Sequence, residues 1–296
     1  MAVGTAGDES GNEQSGAAPT ARRMMLGAQL RRLREAAEIS RVDAGYAIRG
    51  SESKMSRLEL GRVSFKERDI ADLLTMYGVS DPAERETYID MAKRSYEPGW
   101  WRRDADVIPS WFNNYIGLEE SASRIQSYEH QFVPGLLQTE DYARAIVRHG
   151  LLDLDNDEID RRVALRTRRQ KMLAGPDAPQ LWVVIDESVL HRPIGGHKVL
   201  ADQLDALLEL TKSPRISLQI LTYNHTHNAA GGAFTMLRFA DRALPTVVYV
   251  EHLTGALYLE RLDDMEAYSR ALDRLAVDAQ TPDESRQLLA KVRAEI

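Results

Sequence analysis

The residues with the clearest chemistry lie in Glu52-Ser53-Lys54-Met55-Ser56-Arg57-Leu58-Glu59. At about 100° per residue, a helix puts Met55 and Leu58 on one side and Glu52, Ser53, Ser56 and Arg57 on the other. A guanidinium forks onto O6 and N7 of guanine, a hydroxyl reaches either kind of base, and a carboxylate accepts from cytosine N4. Such a face suits base edges in the major groove of DNA. The same spacing also fits an ordinary helical hairpin with a solvated polar face, and spacing alone does not separate the two.

The elements that must hold this face are legible on either side of it. Ser40 can cap a helix over residues 41–48, and Ser51 can cap the one that follows. Gly45 gives the first helix a small face for close approach. Arg49-Gly50 supplies the turn, with the glycine expected to take the positive φ. Two short helices joined by a tight turn match the helix-turn-helix, whose second helix enters the major groove. A helix over 26–38 lines up Leu26, Leu30 and Leu33, and another over 65–77 turns Ile70, Leu73, Leu74 and Tyr77 inward before Gly78 stops it. Asp81-Pro82-Ala83-Glu84 starts a last helix, to about Arg94.

Leu26-Gly27-Ala28-Gln29-Leu30-Arg31-Arg32-Leu33-Arg34, Ser40, Ser51 through Glu59 and Gly61-Arg62 together resemble the Xre (phage-repressor-like) helix-turn-helix family. The resemblance spans about residues 26–79. It implies a groove-facing set of Ser51, Glu52, Ser53, Ser56 and Arg57, and a phosphate contact at Arg41. It also implies a partly buried ion pair between Arg34 and Glu59 that ties the first helix to the recognition helix. Lys54, Arg62 and Lys66 complete the expected DNA-binding set. The chain departs from the family at Glu38 and Arg49, where glycine is usual, and at Gly50, where an apolar residue is usual.

Composition bounds the rest. The chain has 296 residues, 43% of them apolar, enough for two domains with real cores. It has no cysteine, which removes disulfides, thiolate metal sites and cysteine nucleophiles. The formal net charge of −7 argues against nucleic acid until it is counted locally. Residues 20–78 hold twelve Lys and Arg against eight Asp and Glu, a net +4, so the rest carries −11. A basic head on an acidic body favours DNA at one end. No apolar run approaches a membrane span, and the N-terminus lacks a signal-peptide core, so a cytoplasmic protein with no membrane partner is expected. Residues 1–20, poor in apolar side chains, read as a disordered tail.

Glu97-Pro98-Gly99 marks a boundary, giving a DNA-binding domain over 21–96 and a C-terminal sensor and dimerisation domain over 97–296. Trp100, Trp101 and Trp111 then cluster with Phe112. They read as an aromatic packing patch, or as a candidate ligand pocket with Glu187 and Glu251. Residues 122–132 look helical, Thr139 caps a helix to about Arg148, and a long helix over 157–174 carries Arg161, Arg162, Arg166, Arg168, Arg169 and Lys171. That charge run reads as a solvated face. Strand-like runs follow at 181–185, 216–221, 234–239, 246–251 and 257–260. A helix over 199–210 between the first two strands implies a parallel βαβ pair, and two amphipathic helices close the chain. The expected fold is α+β: an all-α head, then a mixed α/β domain of about five strands flanked by helices.

Glu97-Pro98-Gly99-Trp100-Trp101, Tyr128-Glu129, Val133-Pro134-Gly135-Leu136-Leu137-Gln138-Thr139-Glu140-Asp141-Tyr142-Ala143 and Asp186-Glu187-Ser188-Val189-Leu190 resemble the large uncharacterised domain of WhiJ-like actinobacterial regulators with Xre-type heads. Gly195-Gly196 and Val248-Tyr249-Val250-Glu251 fit it too. The resemblance implies a transcription regulator or repressor on a double-stranded DNA operator. Its partners would be a second copy in a homodimer, and a small acidic protein, as in antitoxin-like pairs, or a small-molecule effector. It implies no catalytic residue and no cofactor. His191, His197, His225, His227 and His252 do not form a zinc pattern, so no metal is expected. An enzyme fused to a DNA-binding head would need convergent acid–base groups such as Glu187 and Glu251, which no other motif accompanies.

Overall fold

The computed structural model describes residues 21–95, 99–150, 154–224, 231–240 and 244–296. The expected tail at 1–20, the Glu97-Pro98 boundary and His225 and His227 lie outside the described residues. The chain divides into two compact units, Met1–Tyr96 and Glu97–Ile296.

The first unit contains α1 (Ala21–Ala36), α2 (Arg41–Ala47), α3 (Glu52–Glu59), α4 (Glu67–Met76) and α5 (Pro82–Arg94). Ser40, Ser51 and Asp81 each accept from a backbone N–H in the first turn of the following helix. Leu26, Leu30, Ala44, Ile48, Met55, Leu58, Phe65, Ile70, Leu73 and Leu74 form one core. The helices α1 to α4 all stop in the same way. In each, the residue after the C-cap takes a left-handed φ, and the next N–H bonds back to a carbonyl five residues earlier, the Schellman arrangement. These bonds are Ile39 to Arg34, Gly50 to Gly45, Arg62 to Arg57 and Val79 to Leu74. Glycine takes the left-handed position at Gly61 and Gly78, whereas Glu38 (φ 55°) and Arg49 (φ 54°) take it at the other two stops. The turn residue of the motif is therefore Arg49 and not Gly50, a correction to the expectation. Glu38 and Arg49, the two positions where the resemblance leads one to expect glycine, are the two with a left-handed non-glycine backbone.

The second unit is built on a six-stranded sheet of order β3-β2-β1-β4-β5-β6. The strands are β1 (Arg124–Glu129), β2 (Gln180–Asp186), β3 (Ile216–Leu221), β4 (Phe234–Arg238), β5 (Val247–His252) and β6 (Gly255–Leu259). The helices are α6 (Phe112–Ser121), α7 (Glu140–Gly150), α8 (Asn156–Gln170), α9 (His197–Leu210), α10 (Leu262–Asp278) and α11 (Pro282–Glu295). β1, β2 and β3 run parallel, and β4, β5 and β6 continue antiparallel. The βαβ unit β2-α9-β3 and the hairpin-joined later strands are as the sequence indicates. The helix expected at 122–132 is instead β1, the strand at which the parallel half meets the antiparallel half. Its polar Gln126 and Ser127 are buried, so β1 lacks the apolar run that marks the other inner strands. The buried side chains of Val184, Phe234, Met236 and Val248 pack with Leu272 and Leu275 of α10.

Candidate nucleic-acid interface

Met55 and Leu58, both fully buried, fix the orientation of α3. Complete burial of two such side chains contributes on the order of 3–6 kcal/mol. With that side held, Ser51, Glu52, Ser53 and Arg57 are exposed and Ser56 is half-buried. Among the described residues Arg57 Nε donates only to the Ser53 carbonyl of its own helix, at 3.3 Å, and the side chain is exposed. Ser51 Oγ accepts from Lys54 N at 3.2 Å, so its first duty is to cap α3.

Two glycines set how closely the neighbouring helices approach. A Cβ on Gly45 would stand 2.8 Å from the Ser51 carbonyl oxygen, and one on Gly27 would stand 2.4 Å from that of Glu59. Both contacts are to backbone, which cannot swing aside, so α2 and α1 reach α3 only because these positions have no side chain.

Glu59 closes the C-terminal end of α3. Its side chain is 3% exposed and accepts from two arginines. Arg34 Nε donates to Oε1 and Arg34 Nη2 to Oε2, and Arg34 Nη1 donates to the Ile39 carbonyl at 2.8 Å. The hydrogen bond to Glu59 holds the Arg34 guanidinium above its usual range against the opposing effect of burial. Arg41 Nε also donates to Glu59 Oε2, at 3.2 Å, while its side chain stays 39% exposed. Arg41 is thus anchored by the protein's own carboxylate and only its outer edge faces solvent.

Lys54 departs from its expected role. Its ammonium donates to Asp69 Oδ2 at 2.8 Å and to the Ile48 carbonyl at 3.4 Å, so it bridges α3 to α4. Asp69 is buried in the first turn of α4, and its sequence position reads only as a favourable acid at a helix start. Arg62 and Lys66 are exposed beyond α3. The structure therefore brings Glu52, Ser53, Ser56 and Arg57 onto one outward flank, places Arg41 beside its end, and turns Lys54 away.

The candidate pocket residues of the second unit are dispersed. Trp101 is buried and Trp100 meets it edge-on at 5.8 Å between ring centroids, against Ile116 and Leu165. Trp100 also lies under the Arg168 guanidinium, 4.2 Å from its centroid. Trp111 Nε1 donates to Glu251 at 3.3 Å. Glu187 follows β2 and accepts from Tyr223 N at 2.9 Å. β1 and β4 separate β2, which Glu187 follows, from β5, which carries Glu251, about 14 Å across the sheet. Among the described residues no group of His, Asp and Glu is placed to hold a metal ion, and no helix is long and apolar enough to cross a membrane.

A family model described as a helix-turn-helix domain matches residues 25–87. A second, described as a domain of unknown function (DUF5753), matches residues 112–291. No curated protein and no solved structure matches the chain.

Proposed function

The chain belongs to the DUF5753 family, and from that premise and its helix-turn-helix head we propose a sequence-specific transcription regulator of the Xre type, WhiJ-like, that binds operator DNA in the cytoplasm as a homodimer. The outward flank of α3 carries this reading: a guanidinium, two hydroxyls and a carboxylate on a helix whose opposite side is locked into the core. Arg57 would read guanine, with Ser53, Ser56 and Glu52 beside it. A single head makes few base contacts, so two half-sites about 34 Å apart along the duplex are expected. The second unit would supply dimerisation and receive the signal, without catalysis.

Bound genomic fragments, mapped first, give the operator, and gel shifts on operator and scrambled duplexes then test the docking. Arg57→Ala is expected to lose about 1–3 kcal/mol of operator preference while keeping its affinity for scrambled DNA. An unchanged preference would show that α3 does not read the bases.

A further inference from the structure

The helix expected to carry a solvated run of arginines turns three of them into a cavity. Arg162, Arg166 and Arg169 of α8, spaced at four and three residues, share the walls of a space of about 250 Å³. Ile108, Pro109, Phe112, Val147 and Leu165 give it an apolar lining, and Glu251 at the end of β5 is its one acidic wall residue among the described residues.

The three guanidiniums are not equally satisfied. Arg169, buried, has a matched partner: its Nε and Nη2 donate to the two carboxylate oxygens of buried Glu119, each at 2.8 Å. Arg166 donates from Nη1 to the neutral Oε1 of Gln138 at 3.1 Å. Gln138 is held in turn by the Val133 carbonyl, which its Nε2 reaches at 2.6 Å. Arg162 keeps a buried Nε with no acceptor. Neither Arg162 nor Arg166 has a carboxylate within ion-pair distance among the described residues. Burial pulls Arg166 down to about 10, with Arg169 adding to the effect and Glu251 opposing it, and burial lowers Arg162 as well. Glu129 on β1 is pushed up to about 8, first by burial and then by the charge of Glu251, so at neutral pH it adds little countercharge.

Arg162 and Arg166 are half-buried; a partly desolvated charge without a partner is unfavourable, and a folded protein keeps it where something supplies the missing charge. We infer that the cavity bounded by α7, α8, the start of α6 and the end of β5 binds a small carboxylate with an apolar body. Once Glu119 and Glu251 are set against the three guanidiniums, one positive charge is left, which matches a monoanion. The planar fork of Arg166 suits a carboxylate, and the lining by Phe112, Ile108 and Leu165 suits an aromatic or branched aliphatic body. A phosphate dianion would be overcharged for the site and would face Glu251. The volume lies just below the usual range for ligand pockets, which restricts the occupant to a small acid.

The test uses the full chain and does not involve DNA, so its outcome leaves the regulator reading untouched. Benzoate, phenylacetate and isovalerate are titrated by calorimetry and by thermal shift, with benzamide as the neutral isostere and inorganic phosphate as the bare anion. At least one carboxylate is expected to bind and raise Tm, and benzamide and phosphate to do neither. Arg166→Gln should weaken that binding at least tenfold, about 1.4 kcal/mol, while the unliganded variant melts no lower than the parent. Arg162→Gln should weaken it too, and it serves as the arbiter if Arg166→Gln does not fold. Absence of binding by all three acids, equal binding of benzamide or phosphate, or full affinity in the folded arginine variants would each overturn the inference.

Discussion

α3 and α8 are both polar helices with arginines, yet they dispose of them in opposite ways. α3 has Met55 and Leu58 as its only strongly apolar side chains, both buried, and everything opposite faces outward. Among the described residues Arg57 has no carboxylate partner, and it stays on the surface. On α8, Ile159, Val163 and Leu165 draw the helix into the second unit, and Arg169 goes inward with them to meet Glu119. Arg161 finds Asp106 with two bonds of 2.7 Å, and Arg168 lies over Trp100. The number of arginines on a helix therefore does not say where they point. Position relative to the apolar stripe, and a carboxylate or aromatic face brought from elsewhere in the chain, decide it.

Removing one arginine from each helix should break the symmetry most sharply. Arg169→Ala leaves Glu119 buried and alone and is expected to cost about 3–5 kcal/mol, whereas Arg57→Ala should change stability by no more than about 0.5 kcal/mol. All four tryptophans lie in the second unit, so urea unfolding followed by tryptophan fluorescence reads the Arg169 variant, and far-UV circular dichroism reads the Arg57 variant, whose residue lies in the first unit. Equal effects of the two substitutions would mean that the buried pair is not the partner structure described for Arg169.

The support beneath each helix gives a smaller effect. Gly45→Ala forces a methyl against the Ser51 backbone and is expected to destabilise the first unit by about 1–3 kcal/mol. Far-UV circular dichroism should show an earlier helical loss while the fluorescence transition stays in place. A shift of the fluorescence transition instead would tie the two units together energetically. The smallest effect is a gain. Arg49→Gly relieves a left-handed non-glycine residue and should stabilise the first unit by up to about 1 kcal/mol, partly offset by the freer unfolded chain and by the lost exposed contact to Asp72 at 3.3 Å. A loss of stability there would show that the contact outweighs the strain.

Much of the head is readable because its signals are local. Ser40, Ser51 and Asp81 announce helix starts, and Leu26, Leu30, Met55 and Leu58 repeat at helical spacing, so one core follows from pattern alone. Two of the four helix stops are marked by glycine, and at the other two the side chains of Glu38 and Arg49 give no sign of a left-handed backbone, so that only the family resemblance points to them. The inward turn of Lys54 is hidden for a different reason: Asp69 is fifteen residues away and is brought near only by the α3–α4 packing. In the second unit β1 is obscured by its own polarity. Buried Gln126 and Ser127 break the apolar run, and only pairing with β2 and β4 makes a strand of it. The arginine cavity is illegible altogether, since its walls come from segments as distant as Ile108 and Glu251.

Glu59 has one more consequence. A phosphate that docks on Arg41 must share or displace a carboxylate that already occupies its Nε. Any anionic group so released gathers cations of its own, which cancels part of the counterion release that ordinarily accompanies each neutralised phosphate. Arg41 should therefore steepen the dependence of log affinity on log salt by less than the roughly 0.9 expected of an unencumbered cation on B-DNA. On a duplex held as proposed, its side chain would then serve more as a pre-aimed hinge pin than as a full unit of electrostatic attraction.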